Sequence, residues 1–145
     1  MANPLVQQGF LNRVRGALSV TDTPALNVSA SYLAKDGISL RPDGPATDII
    51  PTMTGTVGSQ APYQQVTLTV HLLKTQGLGE SYRQRFLTDT SLGELVVTPD
   101  ATTFGNITLL NCYLVNFNEL AFSGMDPSFV VTISGYMVTN DNMWV

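Results

Sequence analysis

Charged side chains are scarce in this chain: Asp, Glu, Lys and Arg make up only 12% of its 145 residues, about half the usual share. Gly, Thr, Ser and Asn supply much of the polarity instead. Few charges leave a monomer poorly protected against association, so we expect much of the surface to contact other copies of the chain. The length fits one domain spanning residues 1–145.

Clusters of basic residues are also missing. The net charge is −4, from seven basic and eleven acidic residues, and a surface that holds nucleic-acid phosphates needs clustered cations. The sequence therefore predicts no specific nucleic-acid patch. The basic residues are scattered at Arg13, Arg15, Lys35, Arg41, Lys74, Arg83 and Arg85.

The sequence also predicts no intrachain disulfide, no targeting signal and no membrane span. Cys112 is the single cysteine, which excludes an intrachain disulfide. Residues 1–11 lack the basic start and apolar centre of a signal peptide. No apolar stretch approaches the roughly 20 residues that span a bilayer. We expect a protein made in a host cytoplasm, with no membrane partner.

The residues that could perform chemistry are few. His71 and Cys112 are the only candidates for a thiol–imidazole pair, but nothing in the predicted strand around Cys112 supplies the helix N-terminus or cation that activates a thiol. One His and one Cys cannot form the usual zinc site. The sequence predicts no enzyme, no metal and no cofactor.

Other polar features have structural interpretations that compete with functional ones. The acids Asp22, Asp36, Asp43, Asp100 and Asp126 nearly all fall in predicted turns, where Asp bonds its own backbone. A paired-carboxylate hydrolase stays open, although no spacing points to one. Gly77-Leu78-Gly79 lacks the other residues of a phosphate loop and predicts a strand-to-helix joint. The hydroxyl residues Thr67, Thr69, Thr132 and Ser134 fit either a small polar ligand or a strand face in water.

Period-two alternation of apolar and polar residues dominates the chain and predicts strands. A Lys35-Asp36-Gly37 turn joins the second and third of them, and a loop at residues 123–127 joins the last two as a hairpin. The predicted strands are Arg13–Val20, Leu26–Ala34, Ile38–Leu40, Gln65–Lys74, Glu94–Thr98, Ile107–Phe122 and Phe129–Val138.

One helix is predicted over Leu78–Asp89, because Leu78, Tyr82 and Phe86 recur at the spacing of one helix face. Six or seven strands and one helix indicate a mainly β fold. We expect a small β-sandwich or barrel with a flanking α-helix.

The segment Pro42–Tyr63 breaks the alternation with prolines and glycines, and we interpret residues 42–64 as an extended loop. A structureless loop of this length is unusual in a compact domain, and its centre is too apolar for a solvated linker. We therefore expect it to contact a neighbouring subunit. We expect the same of an N-terminal arm (residues 1–11) and of an apolar C-terminal tail. The candidate contact residues are Ile49, Ile50, Pro51, Thr52, Met53, Thr54, Leu5, Val6, Phe10 and Trp144.

The segment Val66–Val138 resembles the tail tube proteins of contractile-tailed bacteriophages in the order of its secondary-structure elements and in short stretches of its sequence. A Thr-rich strand, QVTLTVHLLKTQG, leads into a helix, ESYRQRFLTD. LGELVVTPDATTF and NITLLNCYLVNFNELAFSG follow, and FVVTISGYMV is the last strand.

The resemblance implies a structural virion protein. Subunits of this family form hexameric rings that pair strands edge to edge and stack, through an extended loop and the termini, into a hollow tail tube. DNA passes through the lumen without specific binding during ejection. A sheath and other tail proteins are the expected partners.

Two alternatives stay open. The long loop has no residue-by-residue match in the family, so a tube-initiating or tube-terminating ring, or the tube protein of a related injection machine, is also compatible with the sequence. The second alternative is a small monomeric β-barrel that binds a ligand between its sheets, which predicts a pocket with ordered polar groups.

Overall fold

A computed structural model describes residues 16–74, 77–99, 104–117, 125 and 128–140. The described chain is mainly β with one α-helix, which confirms the predicted fold class. Two short 3-10 turns lie at Pro24–Leu26 and Ala30–Tyr32. The strands and the helix are β1 (Gly16–Val20), β2 (Leu33–Asp43), β3 (Thr47–Pro51), β4 (Thr56–Gln60), β5 (Tyr63–Leu73), α1 (Leu78–Thr88), β6 (Ser91–Pro99), β7 (Ile107–Phe117) and β8 (Ser128–Val138).

Six of the strands form one antiparallel sheet in the order β1-β6-β7-β8-β5-β2. The sheet curls into a half-barrel, so its two outer strands approach each other at one point. A Cβ placed on Gly16 of β1 would lie 3.6 Å from Cδ1 of Ile38 of β2. The remaining strands, β3 and β4, pair with each other and with no other strand that the structure describes.

The hydrophobic core fills the concave side of the sheet. Alternation in β5 places Val66, Leu68, Val70 and Leu72 on that side, and all four are buried. Each fully buried aliphatic side chain contributes about 1.5–3 kcal/mol to folding. The buried apolar residues are Leu18, Val20, Leu26, Val28, Val66, Leu68, Val70, Leu72, Leu78, Tyr82, Leu92, Leu95, Val97, Leu109, Cys112, Leu114, Phe129, Val131 and Ile133.

Helix α1 covers part of this core, and it ends one residue before the predicted limit at Asp89. Tyr82 is buried, and its hydroxyl donates a hydrogen bond of 2.7 Å to the Leu26 carbonyl. The Phe86 ring packs edge-on against the Phe117 ring, with centroids 5.2 Å apart. An aromatic cluster therefore fixes the helix to the sheet, and one buried hydrogen bond fixes it to the 3-10 turn at Pro24–Leu26.

Two residues with positive φ accompany breaks in the ladders of the sheet. Gly93 has φ 75° and Asn111 has φ 49°, and the registers of β6 with β7 and of β7 with β8 shift around them. Such bulges increase the local twist of a strand and help an antiparallel sheet to curl.

The predicted strand Leu26–Ala34 is wrong. Of these residues only Leu33 and Ala34 belong to a strand, while Val28 makes a single bridge to Leu18. Pro24 starts a 3-10 turn here, since the proline ring fixes φ near the helical value. The alternation of apolar residues reflects burial of Leu26 and Val28 in the core, not a regular strand.

The predicted short strand Ile38–Leu40 is part of a longer one. Residues of β2 pair with β5, and an irregularity separates Leu33 from Ile38. Gly37 adopts φ 65° within this irregularity, so Lys35-Asp36-Gly37 forms a bulge in β2 and no turn between two strands. The His71 ring nitrogen Nδ1 lies 3.0 Å from the Gly37 carbonyl oxygen on β2.

The other strand predictions agree with the structure where it describes them. β5, β6 and β8 cover the predicted segments to within a few residues, and β7 pairs with β8 as expected. Residues 13–15 of the first predicted strand and residues 118–122 of the predicted Ile107–Phe122 strand lie outside the described residues.

The interpretation of residues 42–64 as a loop without strands is wrong in part. This stretch contains the end of β2, all of β3 and β4, and the start of β5. Both new strands are short, and almost every residue in them is exposed. They form a separate hairpin.

Candidate interaction surface

The β3–β4 hairpin is an antiparallel ribbon of two five-residue strands. Ile50 lies opposite Val57, and Ile49 lies opposite Gly58. The tip is a turn of residues 52–55, closed by a hydrogen bond of 2.8 Å from the Thr52 N–H to the Gly55 carbonyl. Because side chains alternate between the two faces of a ribbon, the apolar residues Ile49 and Ile50 lie on opposite faces.

The hairpin follows the end of the β2–β5 ladder, and an interruption in the strand pairing separates the two. Asp43 pairs with Gln65 in that ladder, and Thr47 pairs with Gln60 in the hairpin. Three residues, 44–46, therefore face four residues, 61–64. Gly44 adopts φ 80° at this break, a conformation that glycine accepts without strain.

Several hydrogen bonds hold the base of the hairpin. The Ala61 N–H donates to the Ala46 carbonyl at 2.9 Å, and Gln64 Nε2 donates to the Gly44 carbonyl at 2.6 Å. Two further donors reach the Ala61 carbonyl from the end of β8: Thr139 Oγ1 at 2.9 Å and Asn140 Nδ2 at 2.8 Å. The base is thus anchored to the sheet, while the tip extends into solvent.

The surface of the hairpin is apolar and uncharged towards its tip. Ile49 is 64% exposed, Ile50 50%, Val57 52% and Met53 fully exposed. No charged residue occurs from Ile49 to Gln60. An isolated two-stranded hairpin is marginally stable in water, and clustered apolar exposure marks interaction sites. These properties define a candidate interaction surface.

The hairpin contains most of the predicted contact residues. Ile49, Ile50 and Pro51 lie on β3, and residues 52–54 form most of the turn. Leu5, Val6, Phe10 and Trp144 lie outside the described residues. Val57 on β4 belongs to the same surface but was not predicted, because an isolated valine among Thr, Gly and Ser gives no pattern.

The outer edge of β1 is occupied by the chain itself. Leu18 and Val28 exchange two backbone hydrogen bonds of 2.8 Å each, and Asn27 Oδ1 accepts a bond of 2.7 Å from the Val20 N–H. Leu26 and Val28 are both buried, so this segment is firmly attached. In the protomer, β1 is therefore not free to pair with another strand at Leu18 and Val20.

The other edge of the sheet, β2, is free of a neighbouring strand among the described residues. Its exposed part includes Arg41 and Pro42. Proline has no backbone N–H and is typical of edge strands, where it interrupts pairing with further strands. Neither edge is a continuous open ladder, so the hairpin is the more prominent site for association.

A groove of about 340 Å³ lies on the outer face of the sheet, near the base of the hairpin. Tyr63, Tyr113 and Tyr136 come from three adjacent strands, β5, β7 and β8. The rings of Tyr63 and Tyr136 meet edge to face, with centroids 5.7 Å apart. The full lining is Tyr63, Gln65, Asn111, Tyr113, Val115, Ser134, Gly135 and Tyr136, and no charged residue is among them.

The candidate thiol–imidazole pair does not come together. His71 pairs with Val130 across to β8, while Cys112 lies beside Gly135 of the same strand. Val130 and Gly135 are five residues apart on β8, which corresponds to about 16 Å along the strand. Burial raises the pKa of the Cys112 thiol to about 11, which the backbone N–H of Leu95 only partly offsets. A buried, protonated thiol far from the imidazole is no nucleophile.

Two further properties concern the described residues only. No group of three or more His, Cys, Asp or Glu side chains could hold a metal ion there. The helix in this part of the chain is not long and apolar enough to cross a membrane.

The fold is thus a curled antiparallel sheet with one flanking helix and one exposed hairpin. No protein-family profile matches the sequence, and no curated protein matches it. Several chains of solved structures are similar, and two of them are described here. The tube-terminating cap of the anti-feeding prophage has a TM-score of 0.47 and 12% identity, over 94% of this chain and 92% of that chain. The sheath/tube terminator (PVC) of an extracellular contractile injection system has a TM-score of 0.46 and 14% identity, over 94% of this chain and 96% of that chain. Likeness at this level does not define a function.

Proposed function

We propose that this chain is a structural subunit of the tail tube of a phage or related contractile injection particle. It would act as a tube-terminating ring or as the repeated tube subunit. The observation that carries the proposal is the β3–β4 hairpin, which is apolar and uncharged from Ile49 to Gln60 and is anchored only at its base.

The hairpin leaves both apolar side chains and backbone groups uncovered in the protomer. Ile50 and Val57 are paired across the ribbon but each stays about half exposed. Both outer edges of the ribbon also present backbone groups that pair with no strand among the described residues, since β3 and β4 pair there only with each other. Covering these groups with a partner gains apolar burial and completes hydrogen bonds. A partner subunit provides both.

A symmetric assembly is the form that this contact supports. The hairpin is a single projection, so a partner that receives it must use a different surface of its own. Such head-to-tail contacts generate closed rings or stacked, open-ended assemblies. The similarity of Val66–Val138 to tail tube proteins supports a hexameric ring, located in the virion or particle, with a sheath and other tail proteins as neighbours.

The outer face of the sheet is compatible with DNA passing through a lumen. Thr67, Thr69 and Thr132 are partly exposed there, and the nearby Arg41 guanidinium lies 3.7 Å from the Asp43 carboxylate. A net charge of −4 and the pairing of Arg41 with Asp43 disfavour tight binding of phosphates. DNA would pass such a surface without being held.

A monomeric barrel with a ligand in its interior receives less support. The concave side of the sheet is filled by the core side chains and by α1. The groove beside Tyr63 lies on the opposite, outer face. The described part of the chain therefore has packed side chains where that alternative needs a pocket.

The decisive experiment measures assembly of the purified chain. We expect light scattering and negative-stain microscopy to reveal rings or tubes, with each subunit contact burying more than ~2,000 Å². Rings of fixed height would indicate a terminating ring, and extended tubes would indicate the repeated subunit. The copy number per particle separates the two forms independently.

A matched pair of variants tests the role of the hairpin. Ile50→Asp combined with Val57→Asp places two carboxylates opposite each other, which should abolish assembly without unfolding the sheet. Leu87→Asp is the control, because Leu87 is 64% exposed on α1 and away from the hairpin. A wild-type chain that stays a 15.6 kDa monomer at high concentration would refute the proposal.

A further inference from the structure

We infer that the hairpin tip around Met53 of one copy inserts into the tyrosine groove of Tyr63, Tyr113 and Tyr136 on the next copy. This inference rests on the proposed assembly and specifies its acceptor. Both surfaces belong to the same chain and both are unoccupied by the described residues. Each copy would donate one tip and receive another.

The tip cannot reach its own groove. Tyr63 follows directly after the base of the hairpin, so the groove lies beside the base. Five-residue strands carry the tip about 17 Å away from it. Met53 is fully exposed, which means that no described part of its own protomer packs on it. A hairpin tip that enters the groove therefore has to come from a second molecule.

The chemistry of the two surfaces is complementary. Methionine is flexible, and its thioether makes favourable contacts with the edges of aromatic rings. The groove offers three tyrosine rings together with Val115. Its volume of about 340 Å³ is at the lower end of the range for binding pockets, which suits the end of a two-stranded ribbon.

Polar groups at the groove match those of the tip. Gln65, Asn111 and Ser134 line the groove, and they can pair with the hydroxyls of Thr52 and Thr54 and with the backbone of the turn. Neither surface contains a charged residue, so docking buries no unpaired charge. Burial of an unpaired charge would oppose such a contact strongly.

The contact is heterologous, because the tip and the groove are different surfaces of the chain. A donor and an acceptor on every copy allow the contact to repeat from one subunit to the next. The groove also lies on the sheet, while the tip projects beyond it. Successive copies would therefore be displaced along the direction of the hairpin.

Crosslinking of two co-expressed, differently tagged variants tests the inference. One variant carries Met53→Cys and the other carries Tyr113→Cys, both with Cys112→Ala to remove the native thiol. A short bis-maleimide should link the two tags only when both variants are present. The matched control pairs Met53→Cys with Leu87→Cys on α1, which should not be linked although Leu87 is 64% exposed and Tyr113 only 51%.

The outcomes separate this inference from the proposed function. Assembly with no link to Tyr113→Cys above the Leu87→Cys control would refute the groove as acceptor and leave the proposed function intact. Efficient linkage of Met53→Cys to itself would indicate a tip-to-tip contact and would also refute it. A parent protein that never assembles would refute both.

The concentration at which copies of the chain associate provides a second test. Met53→Asp should raise the concentration at which copies associate by ~10-fold or more, as expected for a central contact residue, whereas Met53→Leu should stay close to wild type. Equal association of both variants with the wild type would contradict insertion of this side chain.

Discussion

Gly135 of β8 lies directly against the Cys112 thiol of β7. A Cβ placed on Gly135 would lie 2.5 Å from Cys112 Sγ and 3.0 Å from the Leu110 carbonyl oxygen. Asn111, between those two residues, has φ 49°, and the register of β7 with β8 shifts here. The bulge brings β7 so close to β8 that only glycine fits at position 135.

Gly135→Ala should destabilise the protein by about 1–3 kcal/mol, because the added methyl group overpacks the contact between β7 and β8. Urea unfolding monitored by circular dichroism measures the loss. Gly105→Ala is the matched control, since a Cβ at Gly105 meets no atom within 4 Å. Equal stability of both variants would contradict the close approach.

Combining Gly135→Ala with Cys112→Ala should recover part of the loss. Removal of the sulfur relieves the closest contact, while the Leu110 carbonyl still crowds the new methyl group. A double-mutant cycle should therefore give a favourable coupling between the two substitutions. Strict additivity would mean that the sulfur atom is not the source of the clash.

The buried thiol also predicts a dependence of stability on pH. Burial raises the pKa of Cys112 from 9.0 to about 11, so the unfolded thiol ionises before the native one. This contribution to stability is complete below pH 9 and is lost as the pH rises towards 11. Plots of the free energy of unfolding against pH should therefore diverge between wild type and Cys112→Ala in that window. Parallel curves would contradict the raised pKa.

Tyr82→Phe should cost about 1–3 kcal/mol, because it leaves the Leu26 carbonyl without its buried donor. The Tyr82 hydroxyl donates to that carbonyl at 2.7 Å and its ring is buried. Tyr63→Phe is the control, as Tyr63 is 58% exposed and should change stability by less than about 0.5 kcal/mol. Chemical denaturation of both variants provides the comparison.

The elements predicted correctly are those whose residues have one buried and one exposed face. β5 alternates cleanly because Val66, Leu68, Val70 and Leu72 face the core. α1 repeats Leu78, Tyr82 and Phe86 on its inner face. In both cases the packing environment determines the spacing of apolar residues, so the spacing predicts the element.

The hairpin could not be predicted in this way, since neither of its faces is buried. Ile49 and Ile50 are consecutive and lie on opposite faces, which removes any alternation. The tyrosine groove could not be predicted either. Tyr63, Tyr113 and Tyr136 are distant in sequence, and only the strand order β7-β8-β5 brings them together.

Amide exchange of the hairpin should change on assembly. In the free protomer, residues 47–60 should exchange quickly, because a two-stranded ribbon without a packed face opens readily. Assembly should slow exchange in this segment and around Tyr113, while β5 residues 66–72 stay protected in both states. Mass spectrometry of peptides measures this. Fast exchange of residues 47–60 in the assembled particle would exclude the hairpin from the subunit contact.

Asn27→Ala should destabilise the chain by about 1–2 kcal/mol and expose the edge of β1. The side-chain oxygen of Asn27 is the acceptor for the Val20 N–H at 2.7 Å, and loss of this acceptor leaves the N–H of the buried Val20 unsatisfied. Asn27→Asp keeps the acceptor and should stay within about 0.5 kcal/mol of wild type. Thermal unfolding of the two variants compares their stabilities.

The same pair of variants tests whether residues 26–28 protect the sheet from unwanted pairing. Freed backbone groups on an edge strand promote association through that edge. Asn27→Ala should therefore increase aggregation at concentrations where Asn27→Asp remains as soluble as wild type. Because Leu18 keeps its two bonds to Val28, the effect should be confined to the end of β1 near Val20, and faster amide exchange at Val20 but not at Leu18 would locate it there. Unchanged exchange at Val20 would mean that the Asn27 side chain does not protect this edge.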